Sequence, residues 1–377
     1  MAIAGQLRRE VPISLADVTD TEKKKVLAVL DTNFLSRGPI IQEFEERLSA
    51  YLGIPYVIAV NNGTAALHLS VKSLGISNDD EVITTPFSFV SSSNCLLMEK
   101  AKPIFVDIDP ETYNINPSLI ESKINSRTKA ILPADIFGYP CEMDKIREVA
   151  EKYNLPIIED SCEALGAEYN GKKVGGESTL SVLSFFPNKQ ITTGEGGAIV
   201  TPRRDLAELC RSMRNHGKPD SKVAYTERMG YNYWMNEINA ALGVAQIDRI
   251  EEILSRREDI AERYIEKLSS LEEVTLPVKN TQNKKRSWFV FVIGVEESKR
   301  NQIMTYLQNN GVGCREYFPT IHLQPLYTNQ FGYKRGDFPI AERISRQTIA
   351  IPFYNKLSEE DMDYVVTQIK EALIKTQ

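Results

Sequence analysis

Residues 180–201, LSVLSFFPNKQITTGEGGAIVT, place two apolar runs on either side of a polar loop. LSVLSFF and GAIVT have the length and composition of buried β-strands. Lys189 follows the first run after Pro187 and Asn188. Most lysines are solvated surface charges, but a lysine at a strand end can also bind a phosphate or act as a nucleophile when its amine is kept partly neutral. The stretch therefore predicts two strands joined by a loop with one candidate functional residue.

Five further apolar runs precede this stretch, and helical patterns separate most of them. In chain order they are YVIAV, EVITT, PIFVD, KAILP and LPIIE. Short buried strands that alternate with helices are typical of a mostly parallel sheet covered on both faces. Together with LSVLSFF and GAIVT, the runs predict an α/β fold with a large, mostly parallel, seven-stranded sheet.

The pattern changes beyond residue 235, where a long amphipathic stretch indicates one or two helices. The apolar run SWFVFVIGV, the strand candidate VGCREYF and the closing helix SEEDMDYVVTQIKEALIK follow it. This succession predicts a small α+β C-terminal domain. We expect an N-terminal segment over residues 1–35, a large domain over 36–250 and the small domain over 251–377.

The composition argues against several classes of protein. The net charge of -6 and the lack of a basic stripe argue against nucleic acid as a partner. The five cysteines form no C-x-x-C pair and there are only three histidines, so neither a metal site nor a disulfide framework is expected. No run is long enough to cross a membrane, and the N-terminus lacks the apolar core of a signal peptide. We expect a cytoplasmic protein with a small-molecule substrate.

Two other motifs supply candidate ligand groups. In VIAVNNGTAALHLSV, Gly63 and Thr64 stand at a predicted helix start near Ala65, where free backbone N–H groups suit a phosphate, although an ordinary capped turn has the same pattern. In LPIIEDSCEALGA, Glu159 and Asp160 end a predicted parallel strand, where ligands bind in open α/β sheets. A helix cap or a metal site would use the same aspartate, and the cap is the commoner case.

Combined, these groups match the requirements of pyridoxal 5'-phosphate (PLP). The turn at Gly63 and Thr64 would bind the phosphate, Asp160 would keep the pyridine nitrogen protonated, and Lys189 would form the Schiff base. The combination favours the nucleophile interpretation of Lys189 over the surface charge.

The order and spacing of the motifs resemble the DegT/DnrJ/EryC/StrS family of sugar aminotransferases, which are fold-type I PLP enzymes. The resemblance runs from FLSRGPIIQEFEERLSAYLG to GDFPIAERISRQTIAIPFY and includes NNGTAALHLS, TPFSFVSSSN and GYNYWMNEINAALGVAQ. It implies an aspartate aminotransferase-like fold and a homodimer with shared active sites. SFFPNKQITTGEGG and YFPTIHLQPLY are most similar to the perosamine synthase branch, which aminates C4 of a GDP-linked 4-keto-6-deoxy sugar for polysaccharide biosynthesis.

The resemblance also implies further contacts with the cofactor. Ser184 would join Gly63 and Thr64 at the phosphate, and Asn232 would reach the phosphate site of the neighbouring subunit. Phe89 would stack on the pyridine ring, although its alternative is a core strand residue.

Three departures from the family pattern accompany these contacts. Glu163 stands where Gln or His is frequent, so its contact with the ring hydroxyl requires a protonated carboxyl or a bridging water. Trp234 replaces a common arginine and Asp135 a common histidine, and the sequence explains neither change.

Two residues are weaker candidates for the sugar substrate. His322 falls in a segment that the family brings towards the sugar, but a structural role is equally plausible. Arg286, in NKKRSW, is a candidate for the diphosphate, whereas a basic run in a loop is more often a solvated face.

The implied activity is amino transfer from L-glutamate to a nucleotide-linked 4-keto-6-deoxy sugar. Lys189 would move the proton from the donor Cα to the cofactor. The alternatives are a dTDP-3-keto, UDP-linked or cyclitol substrate, and a non-catalytic regulator of the same fold. The lysine at 189 argues against the dehydratase members, which carry histidine there. The joint presence of Asp160, Ser184 and Lys189 argues against the regulator.

Overall fold

The computed structural model describes residues 9–219 and 224–376, so the first eight residues of the predicted N-terminal segment lie outside it. Its α-helices are α1 (Asp20–Leu30), α2 (Pro39–Leu52), α3 (Gly63–Ser73), α4 (Ser91–Met98), α5 (Met143–Lys152), α6 (Arg204–Arg214), α7 (Glu237–Ile247), α8 (Ile250–Leu268), α9 (Glu297–Asn309), α10 (Pro325–Phe331), α11 (Pro339–Gln347) and α12 (Glu359–Lys375). Short 3-10 helices span Pro117–Leu119, Glu121–Lys123, Ile136–Gly138 and Ile321–Leu323. Among these described residues, every helix is too short or too polar to span a bilayer.

The strands are β1 (Tyr56–Val60), β2 (Glu81–Thr84), β3 (Lys102–Phe105), β4 (Thr128–Leu132), β5 (Ile158–Asp160), β6 (Glu168–Tyr169), β7 (Lys172–Lys173), β8 (Leu180–Ser184), β9 (Gly197–Thr201), β10 (Lys284–Lys285), β11 (Phe291–Gly294) and β12 (Thr348–Ile351). Each of the seven predicted apolar runs overlaps one of these strands. The α/β prediction is therefore confirmed strand by strand.

The large sheet has two parts that meet edge to edge. One part has the order β1-β9-β8-β5 and the other the order β4-β2-β3. Parallel bridges from Ile131 to Ile157 and from Ala134 to Asp160 join β4 to β5. Strand β9 runs antiparallel to β1 and β8, whereas the other neighbouring pairs are parallel. The sheet is thus mostly parallel, with β9 as the exception.

Helices cover both faces of this sheet, because successive side chains of each strand point to opposite faces. On β1, Ile58 and Val60 join the core cluster that includes residues of α3 and α6. Val57 and Ala59 join the cluster that includes residues of α2 and α7. The strand is therefore apolar along its whole length, which is why the sequence shows a continuous run instead of alternation.

The C-terminal part has its own core. Strands β11 and β12 pair antiparallel, and their side chains pack with those of α8, α9 and α12. A separate aromatic cluster, which includes Phe87 and Phe105 near the large sheet and Phe289 and Phe318 from the later segment, joins the two parts. The domain boundaries remain a prediction.

The predicted strand VGCREYF forms no continuous ladder. Val312 makes a single bridge to Val11, and Arg315 makes another to Ala350. Because the segment changes its partner within three residues, it is extended without becoming a regular strand, and this frees its later residues to leave the sheet.

Gly197 marks the closest approach of β9 to the turn before α3. A Cβ added at Gly197 would lie 2.6 Å from the carbonyl carbon of Asn62 and 2.7 Å from the backbone nitrogen of Gly63. Both neighbours are backbone atoms, which cannot rotate out of the way. Only glycine fits at this position without moving β9 or the turn.

We expect Gly197→Ala to lower the free energy of unfolding by about 1–3 kcal/mol, because it overpacks this contact. The matched control is Gly176→Ala, whose added Cβ would lie 3.6 Å from its nearest neighbour, Ile54 Cδ1. The control should change stability by less than about 0.5 kcal/mol. Guanidinium unfolding measures both, and equal effects of the two variants would contradict the role given to Gly197.

Candidate active site

A cavity of about 850 Å³ opens where β2, β4, β5 and β8 reach their carboxyl ends. This edge of a parallel sheet is where open α/β folds bind ligands. The structure brings most of the predicted site residues into its wall: Gly63, Thr64, Phe89, Asp160, Glu163, Ser184 and Lys189.

The N-terminus of α3 forms one end of the cavity. Asn62 Oδ1 accepts the N–H of Ala65 at 2.8 Å, so the helix begins at Gly63, two residues before the predicted start. The first amide groups of a helix have no partner within it, and here two of them belong to cavity-lining residues. A Cβ at Gly63 would lie 3.0 Å from Ser184 Cβ, so the approach of the two segments depends on glycine. The Thr64 hydroxyl bonds Ser91 Oγ at 2.8 Å. This end can hold an anion.

Asp160 lies in the floor of the cavity and is held by two donors. The Ser92 hydroxyl donates to Oδ2 at 2.6 Å, and the Cys162 amide donates to Oδ1 at 3.2 Å. Turns rather than a helix follow Asp160, so the helix-cap interpretation is wrong. Within residues 9–219 and 224–376, no group of three His, Cys, Asp or Glu could hold a metal ion. The two hydrogen bonds instead fix the carboxylate in the cavity wall.

Lys189 is buried in the cavity wall, with its side chain 11% exposed. Its Nζ lies 3.8 Å from Glu163 Oε1 and 3.9 Å from the centre of the Phe289 ring. Gln190, the next residue, donates to the Glu163 carbonyl oxygen at 2.6 Å and to Ser287 Oγ at 2.9 Å. The surface-charge interpretation of Lys189 is therefore wrong, because the loop is tied down and the amine faces an acid and an aromatic ring.

Glu163 combines burial with a hydrogen bond to the backbone. Its Oε2 accepts the Phe137 amide at 2.9 Å. Burial raises the pKa of Glu163 to about 7, although the nearby Lys189 ammonium and the Phe137 amide oppose the rise. The carboxyl group is therefore partly protonated at neutral pH, so it can both donate and accept a hydrogen bond. A protonated carboxyl was one of the two conditions under which the sequence allowed this residue to contact a ring hydroxyl.

Phe89 lies in the loop between β2 and α4 and is 60% exposed. An aromatic side chain with that exposure, in a cavity wall, has a free ring face for a planar ligand. The alternative of a core strand residue is wrong.

Three predicted residues lie outside the cavity wall. Asn232 is exposed, and its backbone pairs with Asn215. His322 is fully buried, with Nε2 3.1 Å from Glu342 Oε1, which favours its structural alternative. Arg286 is also buried, so the solvated-face interpretation is wrong.

Arg286 is enclosed by aromatic rings instead of facing a ligand. Its guanidinium lies 4.8 Å from the Tyr139 ring centre and 4.9 Å from that of Trp288, and it donates to the Phe137 carbonyl oxygen at 3.2 Å. Burial lowers the pKa of Arg286 to about 10. These contacts support the wall behind Glu163, since Phe137 contacts both side chains.

The structure adds residues that the sequence did not reveal as site candidates. Arg315, Tyr317, Asn188 and Tyr233 all line the cavity. Arg315 is exposed, and it is the single arginine in the wall within the described ranges. A signal existed in VGCREYF, which places an arginine two residues before a pair of aromatic residues, but the apolar pattern predicts only a strand there.

The structure explains one of the three departures from the family pattern, the tryptophan at position 234. The Arg214 guanidinium lies 4.0 Å from the Trp234 ring centre, and the Trp234 indole N–H donates to Asn215 Oδ1 at 3.2 Å. Arg214 on α6 therefore supplies a cation next to the position where an arginine is common.

Comparison with known proteins identifies what this chain is similar to. The pattern of the DegT/DnrJ/EryC1/StrS aminotransferase family matches residues 16–370. An uncharacterised protein of Methanocaldococcus jannaschii is 39% identical, with 94% of this chain and 95% of the relative covered. GDP-perosamine synthase of Escherichia coli O157:H7 is 36% identical, with 96% and 98% covered. The solved structure of Helicobacter pylori PseC, an aminotransferase involved in the biosynthesis of pseudoaminic acid, has a TM-score of 0.92 at 30% identity, with 97% and 100% covered.

We expect Glu163→Gln to change how the stability of the cofactor-free protein depends on pH. Between the ordinary pKa of 4.5 and the folded value of about 7, the folded wild type keeps a proton that the unfolded chain releases. Wild-type stability therefore falls as pH rises through this window, and the glutamine variant lacks this fall. In denaturant unfolding, the free energy of unfolding of the variant should rise relative to that of wild type by up to about 3 kcal/mol between pH 4.5 and about pH 8. Parallel pH profiles would contradict the raised pKa.

Proposed function

The chain belongs to the DegT/DnrJ/EryC1/StrS aminotransferase family, and we propose that it transfers the amino group of L-glutamate to a nucleotide-linked 4-keto-6-deoxy sugar. As a member it is a PLP-dependent sugar aminotransferase with the fold-type I architecture. The finer proposal, a GDP-perosamine synthase-like activity, is supported by 36% identity to such an enzyme over 96% of the chain. The observation that carries the proposal is the meeting of Lys189, Asp160 and the α3 N-terminus in one cavity.

The cavity residues fit PLP at each of its polar ends. We propose that the amides of Gly63 and Thr64 and the Ser184 hydroxyl hold the phosphate, because the lack of a Cβ at Gly63 lets these groups approach one another closely. Asp160 would hold a proton on the ring nitrogen, and the exposed face of Phe89 would cover the ring.

Lys189 Nζ is the group that we propose moves the proton in both half-reactions. PLP, when bound, supplies an electron-accepting ring that stabilises negative charge at the donor Cα. Lys189 would take the proton from that carbon as a general base and pass it to the cofactor as a general acid. Asp160 would keep the ring nitrogen charged, and Glu163 would contact the ring hydroxyl with a carboxyl group that can donate a hydrogen bond.

Arg315 is our candidate for recognition of the two anionic substrates. Glutamate carries carboxylates, and a nucleotide sugar carries a diphosphate. Lys189 and Arg315 are the cationic side chains that line the described cavity, and Lys189 is committed to the chemistry. A guanidinium fork matches both carboxylate and phosphate geometry.

We also propose a homodimer in which Asn232 reaches the partner's phosphate site. Asn232 is exposed and does not line the cavity of its own chain, while its backbone is fixed by pairing with Asn215. Met229, three residues earlier, is 67% exposed, as is Phe34. We take these two exposed apolar side chains as candidates for the contact surface of the homodimer. A cytoplasmic location remains a prediction.

Incubation with ¹⁵N-labelled glutamate and a panel of GDP-, dTDP- and UDP-linked keto sugars tests the activity. Mass spectrometry should show an aminated, ¹⁵N-labelled product from the GDP-linked 4-keto-6-deoxy sugar. Lys189→Ala is the matched control and should give none, because it lacks the amine that moves the proton. Amination of other sugars but none of the 4-keto sugars would overturn the finer assignment.

Replacement of Arg315 separates binding from chemistry. Arg315→Met should raise the KM for glutamate, the nucleotide sugar or both by roughly tenfold, the equivalent of about 1.4 kcal/mol, with kcat within a few-fold of wild type. Arg315→Lys keeps the charge, so its KM values should fall between those of wild type and Arg315→Met. Arg343→Met removes an exposed arginine that does not line the cavity and should leave both KM values unchanged. Unchanged KM values in Arg315→Met would remove Arg315 from substrate recognition.

A further inference from the structure

Glu316 is an acid in the cavity wall to which the proposed chemistry gives no role. It lines the cavity next to Arg315, and its side chain is 47% exposed. Arg300 Nη1 donates to its Oε2 at 2.8 Å. Within residues 9–219 and 224–376, no group donates a hydrogen bond to the other oxygen, Oε1. Glu316 therefore has one anchored oxygen and one open acceptor.

The backbone on either side of Glu316 is held by β12. The Arg315 amide donates to the Ala350 carbonyl oxygen at 3.2 Å, and the Arg315 carbonyl oxygen accepts from the Ala350 amide at 2.8 Å. The Tyr317 carbonyl oxygen accepts from the Thr348 hydroxyl at 2.8 Å. These bonds fix the main chain from which the Glu316 side chain extends, so the carboxylate is largely preorganised before a ligand binds.

Arg300 holds the carboxylate from outside the cavity wall. It lies on α9, is 7% exposed and does not line the cavity. A buried guanidinium is unfavourable without an anion, and a charge-assisted hydrogen bond to Glu316 satisfies it. The pair thus fixes Oε2 of the carboxylate and leaves Oε1 available.

A carboxylate acceptor distinguishes between the two proposed substrates. Carboxylate oxygens accept hydrogen bonds and cannot donate them, so they select ligands that carry O–H or N–H groups. Glutamate brings carboxylates of its own, which a negative neighbour repels, and its amino group must reach Lys189. A keto sugar brings neutral ring hydroxyls, and a hydroxyl donates a short, strong hydrogen bond to a carboxylate. The sugar is therefore the substrate that suits Glu316.

We propose that Glu316 is a specificity-determining residue that accepts a hydrogen bond from a ring hydroxyl of the sugar through Oε1, and that Arg300 is its positioning residue. The inference rests on the proposed function, since it names the part of the nucleotide sugar that contacts this wall. Arg315 is the candidate for the diphosphate, and the adjacent carboxylate of Glu316 binds the sugar.

Glu297 allows a comparison with a purely structural ion pair. It pairs with Arg346, and its side chain is also 47% exposed, but it does not line the cavity. Glu297 and Glu316 therefore have the same exposure and the same kind of partner. A difference between their replacements in sugar affinity reports ligand binding and not the loss of a surface ion pair.

Isothermal titration calorimetry of the PLP-loaded protein tests the assignment. The ligands are GDP-mannose, whose sugar has ring hydroxyls but no keto group, and GDP, which lacks the sugar. Glu316→Gln should raise the Kd for GDP-mannose roughly tenfold without raising the Kd for GDP. The lost negative charge would by itself tighten the binding of both anionic ligands, so a rise for GDP-mannose alone identifies the hydroxyl contact. Arg300→Met should raise the Kd for GDP-mannose a few-fold, and the control Glu297→Gln should change neither value.

A Kd for GDP-mannose that Glu316→Gln leaves unchanged or lowers would overturn the proposal, as would an equal rise in Glu297→Gln or a wild type that does not bind GDP-mannose. Circular dichroism checks that each variant is folded. If Glu316→Gln does not fold, Arg300→Met decides instead, and an unchanged Kd for GDP-mannose refutes the assignment.

Neither ligand is aminated, so the calorimetry is independent of turnover. A protein that aminates no 4-keto sugar in the labelled-glutamate assay but shows the expected changes in Kd would refute the proposed activity and retain the role of Glu316. Amination of a 4-keto sugar with unchanged Kd values in Glu316→Gln would do the reverse.

Discussion

The contact between Gly197 and the Asn62–Gly63 turn is the constraint on which the cavity depends. Strand β9 pairs with both β1 and β8, so its position sets the distance between the end of β8 and the start of α3. Backbone lies against backbone there, with no room for a Cβ. As a result Ser184, at the end of β8, reaches the first turn of α3. The proposed anion site, made from two distant segments, thus depends on one close strand approach.

Local sequence patterns predicted the sheet because its strands are buried on both faces and therefore appear as continuous apolar runs. They also located Lys189 and Asp160, since a strand end places a side chain at the binding edge. Local sequence patterns could not predict the burial of Arg286 and His322, because aromatic and acidic residues from distant segments surround these two side chains. Arg315 was missed for the same reason: its place in the cavity wall depends on tertiary packing, which the short extended run does not reveal.

The cavity floor holds more acid than base. Asp135, Asp160 and Glu163 line the described wall, Glu159 lies behind it, and Lys189 is the nearby cation. Burial raises the pKa of three of these acids, Asp135, Glu159 and Glu163. Protonation therefore contributes to the charge balance of this region alongside the pairing of Glu163 with Lys189. Such a floor couples its geometry to pH more strongly than a floor of amides and hydroxyls would.

Hydrogen bonds hold the backbone of the loop that carries Lys189. Phe185 donates to the Gly196 carbonyl oxygen and accepts from Thr193, both at 2.9 Å, while Gln190 ties the loop to the Glu163 segment. Because the backbone is fixed, the amine can travel only by rotations of its own four-carbon stem. The conformational entropy of placing Lys189, the proposed base, is lost once, when the chain folds. Each catalytic cycle then requires the ordering of a few side-chain torsions, while the surrounding main chain remains still.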